Sequence, residues 1–317
     1  MTVGAVVIGR NEGARLVRCL ASLKGQADPI IYVDSGSTDG SVAAAEAAGA
    51  RVVNLDMTRP FTAARARNAG LALLDDMGAD PAFVQFVDGD CEIREDWIPT
   101  AAQFLDDNPD VAFVAGRLRE RFPEATLWNR LADAEWDTAP GDVSAIGGIA
   151  MLRRAALKTE KGFREDLIAG EEPELCLRLR RGGWRIHRLG DEMAWHDIAM
   201  TRFSQWWKRS RRSGHAFAEG AALHGGGPER YRVRETIRAL FWGLVVPVLA
   251  IGGATLTPWA LVILLLWPAQ ILRLSRRGIP TYRAAFLVLA MLPEALGILG
   301  YFLARASGHR RRLIEYK

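Results

Sequence analysis

Short apolar runs rich in β-branched residues alternate with helical patterns along the first part of the chain. The apolar runs predict strands at Val3–Ile8, Ile30–Val33, Arg51–Leu55, Phe83–Val87 and Val111–Ala115. The segments between them predict helices at Ala14–Leu23, Ser41–Ala48, Ala63–Leu74 and Trp97–Leu105. This alternation predicts an α/β domain with a mostly parallel sheet, in which ligands bind at the carboxyl ends of the strands.

The last third of the chain has a different pattern. No charged residue occurs from Ala239 to Leu272, a run of 34 positions. One helix of that length would measure about 51 Å at ~1.5 Å per residue, which exceeds the ~30 Å hydrocarbon core of a bilayer. Turn-forming residues lie near the middle of the run, namely Gly252, Gly253, Thr257 and Pro258. We therefore expect a membrane hairpin with arms at about 239–256 and 258–274, with a buried helical pair of a soluble protein as the alternative.

A second apolar stretch, 284–304, contains one charge, Glu294. Arginines flank the hairpin on both sides, at Arg230, Arg232, Arg234, Arg238, Arg273, Arg276, Arg277 and Arg283. By the positive-inside rule, both ends of the hairpin face the cytoplasm. A single crossing by 284–304 would place Arg305 and the arginines after it outside. We interpret this stretch as a re-entrant or interfacial segment, with a third transmembrane segment as the alternative.

Charge is divided unevenly along the chain. Residues 202–317 contain 18 basic and 5 acidic residues, a net charge of +13, which leaves −9 for residues 1–201. Such asymmetry indicates an anionic partner, either nucleic acid or an anionic membrane. The uncharged run favours the membrane and argues against nucleic acid. We expect three parts: an α/β domain at 1–201, a basic amphipathic or interfacial linker at 202–238, and a membrane region with a basic tail at 239–317.

Polar motifs follow the predicted strands. The first strand leads into GRNEG, which contains Asn11 and Glu12, and the second into DSGSTDG, which begins at Asp34. The Asp34 carboxylate can accept hydrogen bonds from a base or ribose, and the small residues after it let a ligand approach the backbone near a helix N-terminus. An ordinary turn with an N-cap is the alternative interpretation.

The fourth predicted strand leads into DGD. Asp88 and Asp90 lie two positions apart, so both carboxylates can face one way and share a hard divalent cation with a diphosphate. An Asp-Gly-Asp turn is the alternative, but two carboxylates without a cation would repel one another. His196 can complete the metal shell, or it can be a structural histidine.

Three glutamates cluster at the predicted start of a helix, at Glu171, Glu172 and Glu174. The helix dipole favours carboxylates at this end, which would explain the cluster without any catalytic role. The functional alternative is a general base, which takes a proton from an acceptor hydroxyl as that hydroxyl attacks. The three cysteines are far apart and show no CxxC spacing, which argues against a disulfide framework and against a zinc knuckle.

Seven motifs in order resemble the family 2 glycosyltransferases of the GT-A fold, from about Val3 to His196. They are IGRNEG, VDSGSTDGS, ARARNAGL, FVDGD, IGGIAMLRR, KGF and GEEPELCLRLRRGGW. The resemblance implies a Rossmann-like nucleotide-diphospho-sugar transferase domain followed by a membrane-anchoring region. It further implies sugar transfer with inversion at the anomeric carbon, dependent on Mg²⁺ or Mn²⁺.

The resemblance also implies roles for individual residues. Asp88 and Asp90 form the DxD pair, with Asp90 as the direct metal ligand. Glu172 is the catalytic base, with Glu171 as the alternative base. The nucleotide-sugar pocket is formed by Asn11, Glu12, Asp34, Ser35, Arg67, Asn68 and Asp88. The acceptor side is formed by Gly147, Gly148 and Trp184.

The resulting expectation is an inverting glycosyltransferase of the bacterial inner membrane, with its catalytic domain facing the cytoplasm. It would move a sugar to a lipid-linked saccharide in cell-surface or exopolysaccharide biosynthesis. One alternative acceptor is polyprenyl phosphate itself. The alternative from another class is a non-catalytic, membrane-bound sugar-nucleotide-binding protein. QWWKR at Gln205–Arg209 only partly resembles the QxxRW signature of processive synthases, because the closing tryptophan is missing.

Overall fold

A computed structural model describes residues 2–308 of the chain. The chain divides into two compact units. The N-terminal unit comprises the residues through Leu167 together with Glu171–Ala199. The C-terminal unit comprises Ile168–Gly170 together with the residues from Met200 onward. From residue 309 on, the predicted basic tail lies outside the described residues.

The N-terminal unit is built on one nine-stranded sheet with helices packed against it. The strands are β1 Val3–Gly9, β2 Ile30–Asp34, β3 Arg51–Asn54, β4 Phe83–Asp88, β5 Cys91–Ile93, β6 Val111–Glu120, β7 Gly141–Asp142, β8 Ala150–Arg153 and β9 Arg185–His196. The helices are α1 Ala14–Leu23, α2 Ser41–Ala47, α3 Ala63–Asp76, α4 Trp97–Asp107, α5 Leu127–Trp136, α6 Arg154–Thr159 and α7 Glu171–Arg181. The predicted strands and helices of this unit are all present.

The sheet has the order β3-β2-β1-β4-β8-β6-β9-β5, with β7 paired to β9. The strands β3, β2, β1 and β4 are parallel, whereas β8 runs antiparallel to both β4 and β6. The expectation of a mostly parallel sheet therefore holds only for the first half. The sheet is mixed overall, because β8 lies between β4 and β6 and runs antiparallel to both.

Close packing of α3 against β1 places the α3 side chains that matter for the site. A Cβ at Gly70 would lie 2.4 Å from Cγ1 of Val6, so only glycine allows this approach of helix to strand. Thr62 caps α3 by accepting a hydrogen bond from the backbone N–H of Arg65. Arg67 therefore sits in the second turn of a helix that is fixed at its start and in its middle.

The C-terminal unit is helical. Its helices are α8 Phe203–His224, α9 Val233–Leu240, α10 Val246–Ala254, α11 Leu266–Ser275, α12 Thr281–Leu289 and α13 Met291–Ala306, with a π-helical turn at Phe241–Val245 and a 3₁₀ stretch at Pro258–Leu265. In the part of the chain that the structure describes, three continuous helical segments are long and apolar enough to cross a membrane: Val233–Ala254, Pro258–Ser275 and Thr281–Ala306. Gln205 caps α8, because its side-chain oxygen accepts hydrogen bonds from the backbone N–H groups of Thr201 and Arg202.

Candidate active site

Arg67 joins three carboxylates in the N-terminal unit. Its Nη1 lies 2.9 Å from Oε1 of Glu171 and 2.9 Å from Oε1 of Glu172. Its Nη2 lies 3.3 Å from Oδ1 of Asp88. The guanidinium is buried, and its Cζ lies 5.6 Å from the centre of the Phe163 ring. A single buried cation thus connects the end of β4 with the start of α7.

The surroundings of Glu172 favour its protonated form. Burial and the neighbouring Glu171 carboxylate raise the pKa of Glu172 to about 7, against the opposing effect of Arg67. A base with a pKa near the working pH is populated in its deprotonated form and still accepts a proton readily. Glu171 is more deeply buried than Glu172, with a side chain 4% exposed against 15%. Of the two carboxylates, Glu172 is therefore the more accessible to an acceptor.

Two adjacent glycines differ sharply in their surroundings. A Cβ at Gly148 would lie 2.1 Å from Nη2 of Arg67 and 2.5 Å from Oε1 of Glu172. A Cβ at Gly147 would meet no atom within 4 Å. Gly148 is thus the position at which the backbone leaves room for the ion pair between Arg67 and Glu172.

We expect Gly148→Ala to reduce turnover by about 100-fold or more, because displacement of catalytic groups by ~1 Å can cost that much. Gly147→Ala is the matched control and should leave turnover close to that of the wild type. Steady-state kinetics of both purified variants make the comparison. Equal activity of the two variants would contradict the assigned role of Gly148.

Asp90, Cys91 and His196 form a group that can hold a metal ion. Their potential ligand atoms all lie within 4.8 Å of one another, and Oδ2 of Asp90 lies 3.2 Å from Nε2 of His196. Antiparallel pairing of β5 with β9 sets Cys91 opposite His196. Within residues 2–308, the buried Nδ1 of His196 has no hydrogen-bond partner. The carboxylate suits Mn²⁺ or Mg²⁺, and the imidazole favours Mn²⁺, a transition metal, over Mg²⁺. The residues present therefore fit the Mn²⁺ that the resemblance implies.

The structure brings together two of the three predicted metal ligands. Asp90 and His196 lie in this group, whereas the Asp88 carboxylate lies outside it and pairs with Arg67. Cys91 was not found by sequence reasoning. Its one signal was its position directly after DGD, and a lone cysteine carries little information.

We expect Cys91→Ser to weaken Cd²⁺ binding by about tenfold or more while Mn²⁺ binding changes little, because a thiolate prefers soft cations. Isothermal titration calorimetry with each metal measures both affinities. Cys176→Ser is the control, since Cys176 is also buried but lies outside the metal-binding group. Unchanged Cd²⁺ affinity in Cys91→Ser would show that the thiol is not a ligand.

The loop after β2 organises the predicted nucleotide-binding residues. The Asp34 carboxylate accepts hydrogen bonds from the Tyr32 hydroxyl and from the backbone N–H groups of Gly36 and Ser37. Three of its roughly four acceptor positions are therefore used within the loop. The contact of Asp34 with the nucleotide base stays a prediction. Ser35 is 2% exposed, and among the described residues its hydroxyl has no hydrogen-bond partner.

Asn11 and Glu12 stabilise the loop after β1. The Asn11 side-chain oxygen accepts a hydrogen bond from the backbone N–H of Thr38, and the Asn11 backbone N–H donates to Oγ of Ser37. Glu12 pairs with Arg15 at 2.7 Å. Asn11 therefore connects the loops after β1 and β2, which places both predicted nucleotide-binding loops at the same edge of the sheet.

Asn68 contacts the KGF segment through its side-chain amide. Its amide donates to the carbonyl of Phe163 and accepts from the backbone N–H of Phe163. A Cβ at Gly162 would lie 2.7 Å from the Asn68 side-chain oxygen. Asn68 therefore holds the KGF segment against α3, and in this structure both polar atoms of its amide are engaged there.

Trp184 follows α7, whose first turn carries Glu172. At ~1.5 Å per residue, about 14 Å of helix separates Glu172 from Arg181 at the other end of α7. Arg185 pairs with Val111 of β6, and the pairing through β8 places that end of β9 at the same edge of the sheet as Phe83, at the amino end of β4. The acceptor-side role of Trp184 stays a prediction.

The mixed α/β fold is that of a GT-A glycosyltransferase, and the comparisons identify the family. Residues 5–160 match the family described as Glycosyl transferase family 2. The chain belongs to this family.

Two curated relatives illustrate how similar this chain is to known proteins. The pre-mycofactocin glycosyltransferase of Mycobacterium tuberculosis is 29% identical over 235 residues, which cover 70% of this chain and 48% of that protein. An uncharacterized glycosyltransferase of Rickettsia bellii is 49% identical over 51 residues, which cover 16% of this chain and 17% of that protein. The chain thus spans less than half the length of these relatives.

Solved structures show the shared GT-A fold. The mannosyltransferase PcManGT of Pyrobaculum calidifontis, determined with GDP-Man and Mn²⁺, has a TM-score of 0.65 and 21% identity, covering 94% of this chain and 86% of that one. Residues 1–349 of S. aureus TarS, determined with UDP-GlcNAc, have a TM-score of 0.51 and 16% identity, covering 98% of this chain and 93% of that one.

Proposed function

We propose that this protein is a membrane-anchored, inverting glycosyltransferase that uses a nucleotide-diphospho-sugar donor and a lipid-linked saccharide acceptor in cell-surface or exopolysaccharide biosynthesis. One observation carries the catalytic part of the proposal. Arg67 contacts both the predicted base Glu172 and the DxD residue Asp88, two residues before the metal-binding group. The group that would activate the acceptor and the groups that would hold the donor diphosphate therefore meet on one guanidinium.

The chemistry divides between these residues. Asp90 and His196, with Cys91 beside them, would hold Mg²⁺ or Mn²⁺, which when bound neutralises negative charge on the leaving diphosphate. Glu172 takes the proton of the acceptor hydroxyl, while the oxygen of that hydroxyl forms a bond to the anomeric carbon of the donor sugar. The bond from that carbon to the diphosphate breaks on the opposite face, so the nucleoside diphosphate leaves and the configuration inverts. Arg67 orients the Glu172 carboxylate for this step.

The relatives support a nucleotide-sugar donor and a divalent cation. The similar mannosyltransferase was determined with GDP-Man and Mn²⁺, and TarS with UDP-GlcNAc. The helical hairpin and the net charge of +13 in residues 202–317 support a membrane location with the catalytic unit on the cytoplasmic side. A lipid-linked acceptor is consistent with both, because such an acceptor is confined to the same membrane.

A donor panel tests the proposal. Detergent-purified protein is incubated with UDP-, GDP- and dTDP-sugars in Mn²⁺ or EDTA, and released nucleotide is measured. We expect one donor to give slow, Mn²⁺-dependent release of nucleotide. Both EDTA and Asp90→Ala should abolish this release, because each removes several kcal/mol of charge stabilisation. Asp96→Ala, an exposed aspartate before α4, is the control and should retain release. If a donor binds by calorimetry but none is consumed in the presence of a lipid-linked acceptor, the non-catalytic alternative replaces this proposal. If no donor binds and none is consumed, the proposal is wrong.

A further inference from the structure

The helical segment Thr281–Ala306 begins at the end of the apolar hairpin. Oγ of Ser275, the last residue of the second arm, donates a hydrogen bond of 3.2 Å to Oγ1 of Thr281. Arg273, Arg276 and Arg277 flank this turn, and such residues remain at the membrane surface. The start of the third segment is therefore at the level of the surface.

The middle of the same segment lies beside the start of the hairpin. Arg238, the last charged residue before the apolar run, pairs with Glu294 at 3.6 Å. A Cβ at Gly243 would lie 1.9 Å from the backbone oxygen of Met291, so the two backbones are in direct contact. The middle of the third segment therefore lies near the base of the hairpin, close to the last charged residue before the apolar run.

The amphipathic helix α8 accompanies this segment over several turns. Gly214 and Gly297 allow backbone contact between the two helices. A Cβ at Gly214 would lie 2.0 Å from the backbone oxygen of Glu294, and a Cβ at Gly297 would lie 2.0 Å from that of Arg211. The rings of Trp206 and Phe286 are 5.3 Å apart, and those of His215 and Tyr301 are also 5.3 Å apart. The two helices therefore lie side by side and share one depth in the membrane.

The charges on α8 determine that depth. Four basic residues lie on this part of α8, at Lys208, Arg209, Arg211 and Arg212. If the third segment crossed the bilayer, its middle at Glu294–Gly297 would bring these residues to the bilayer centre, where each costs about 2.5–3.5 kcal/mol. At an anionic surface each instead contributes about 1 kcal/mol of attraction.

Burial within the protein agrees with this depth. In the third segment 44% of the most apolar stretch is buried, against 17% and 0% in the two hairpin arms. The arms therefore present their apolar side chains to lipid, whereas the third segment uses much of its apolar surface to pack against α8 and α9. Length and hydropathy alone do not make this distinction.

We propose that Thr281–Ala306 does not cross the membrane and lies with α8 along the cytoplasmic surface, in contact with anionic lipid headgroups. Within residues 2–308 the chain then crosses the membrane twice, and the N-terminal unit and Ser307 are on the same side. The proposal rests on the proposed membrane anchoring but not on catalysis, so loss of sugar transfer would not affect it.

Cysteine labelling in vesicles tests the topology of the full chain. The three native cysteines are buried, which keeps background labelling low. Single variants introduce a thiol at an exposed position in the N-terminal unit, in the hairpin turn or after the third segment: Asp76→Cys, Leu256→Cys and Ser307→Cys. Each is reacted with a membrane-impermeant maleimide in sealed vesicles of either orientation, and full labelling after detergent addition confirms that each thiol is reactive.

We expect Ser307→Cys to label in the same vesicles as Asp76→Cys, and Leu256→Cys only in vesicles of the opposite orientation. Labelling of Ser307→Cys together with Leu256→Cys would show a third crossing and overturn the proposal. Labelling of all three in the same vesicles would show that the hairpin does not cross, which also overturns it. Neither outcome depends on the donor panel, so a failure of the topology and a failure of the proposed function are distinguishable.

Discussion

Glu172→Gln is expected to lower kcat by about 10²–10⁴-fold, the usual contribution of a positioned general base. The substitution keeps the shape of the side chain and removes its ability to accept a proton. KM for the donor should change little, because Glu172 lies on the acceptor side of Arg67 in the proposed arrangement. Steady-state kinetics with the donor found in the panel measure both constants.

The pH dependence of kcat, compared between the wild type and Glu172→Gln, gives an independent check. The base is active when deprotonated, so the kcat of the wild type should rise with pH through the raised pKa of Glu172, about 7. This rise should be absent in Glu172→Gln. Glu174→Gln is the control on the same helix, since Glu174 pairs with Arg178 and not with Arg67, and it should keep the rise.

The result also separates the two acceptor classes. A saccharide hydroxyl needs a base, whereas the oxygen of a phosphate is already ionised at neutral pH. Full turnover of Glu172→Gln with polyprenyl phosphate would favour the alternative acceptor and contradict the role assigned to Glu172. Loss of turnover in a variant that remains folded supports the saccharide acceptor.

Arg67→Gln is expected to destabilise the protein by about 3–5 kcal/mol, because it leaves buried carboxylates without their cation. Glu171 and Glu172 would then repel one another at the first turn of α7, and Asp88 would lose its partner. The matched control is Arg59→Gln, whose pair with Glu165 is exposed and should contribute about 0–1 kcal/mol.

Thermal unfolding of the detergent-purified variants measures the difference. At ~2–4 °C per kcal/mol, Arg67→Gln should lower Tm by roughly 10 °C, and Arg59→Gln by little. Equal shifts would mean that the three carboxylates are compensated elsewhere. Arg67→Lys should recover part of the stability but little of the activity, because an ammonium cannot contact three carboxylates in the planar geometry of the guanidinium.

The parallel half of the sheet follows from local patterns, but the other half does not. Strands β1, β2 and β4 are nearly continuous apolar runs that are buried along most of their length, so their limits are visible in the sequence. Strand β9 has the sequence RIHRLGDEMAWH, which mixes charged, polar and apolar residues. Its partners β5, β6 and β7 are distant in sequence, so no local signal indicates how it pairs.

The candidate site, like the sheet, could be predicted only in part from the sequence. The motifs identified carboxylates suited to a base and to a metal ion, and the structure brings Glu172, Asp90 and His196 into such arrangements. The ion pair of Arg67 with Glu171 joins residues 104 positions apart, so it could not be predicted from spacing. Asn68 lies next to Arg67 in the same motif, yet it holds a loop, because successive helical positions face in different directions.

Backbone contact at Gly214, Gly243 and Gly297 has a consequence for mutational tolerance. In a saturation library of the C-terminal unit, the three glycines should reject even alanine, because each added methyl would collide with a carbonyl of the neighbouring helix. The basic positions of α8 should accept exchange between lysine and arginine. Glycine intolerance at these spacings, beside tolerant basic positions, would provide a sequence signature for finding the same helix arrangement in other chains.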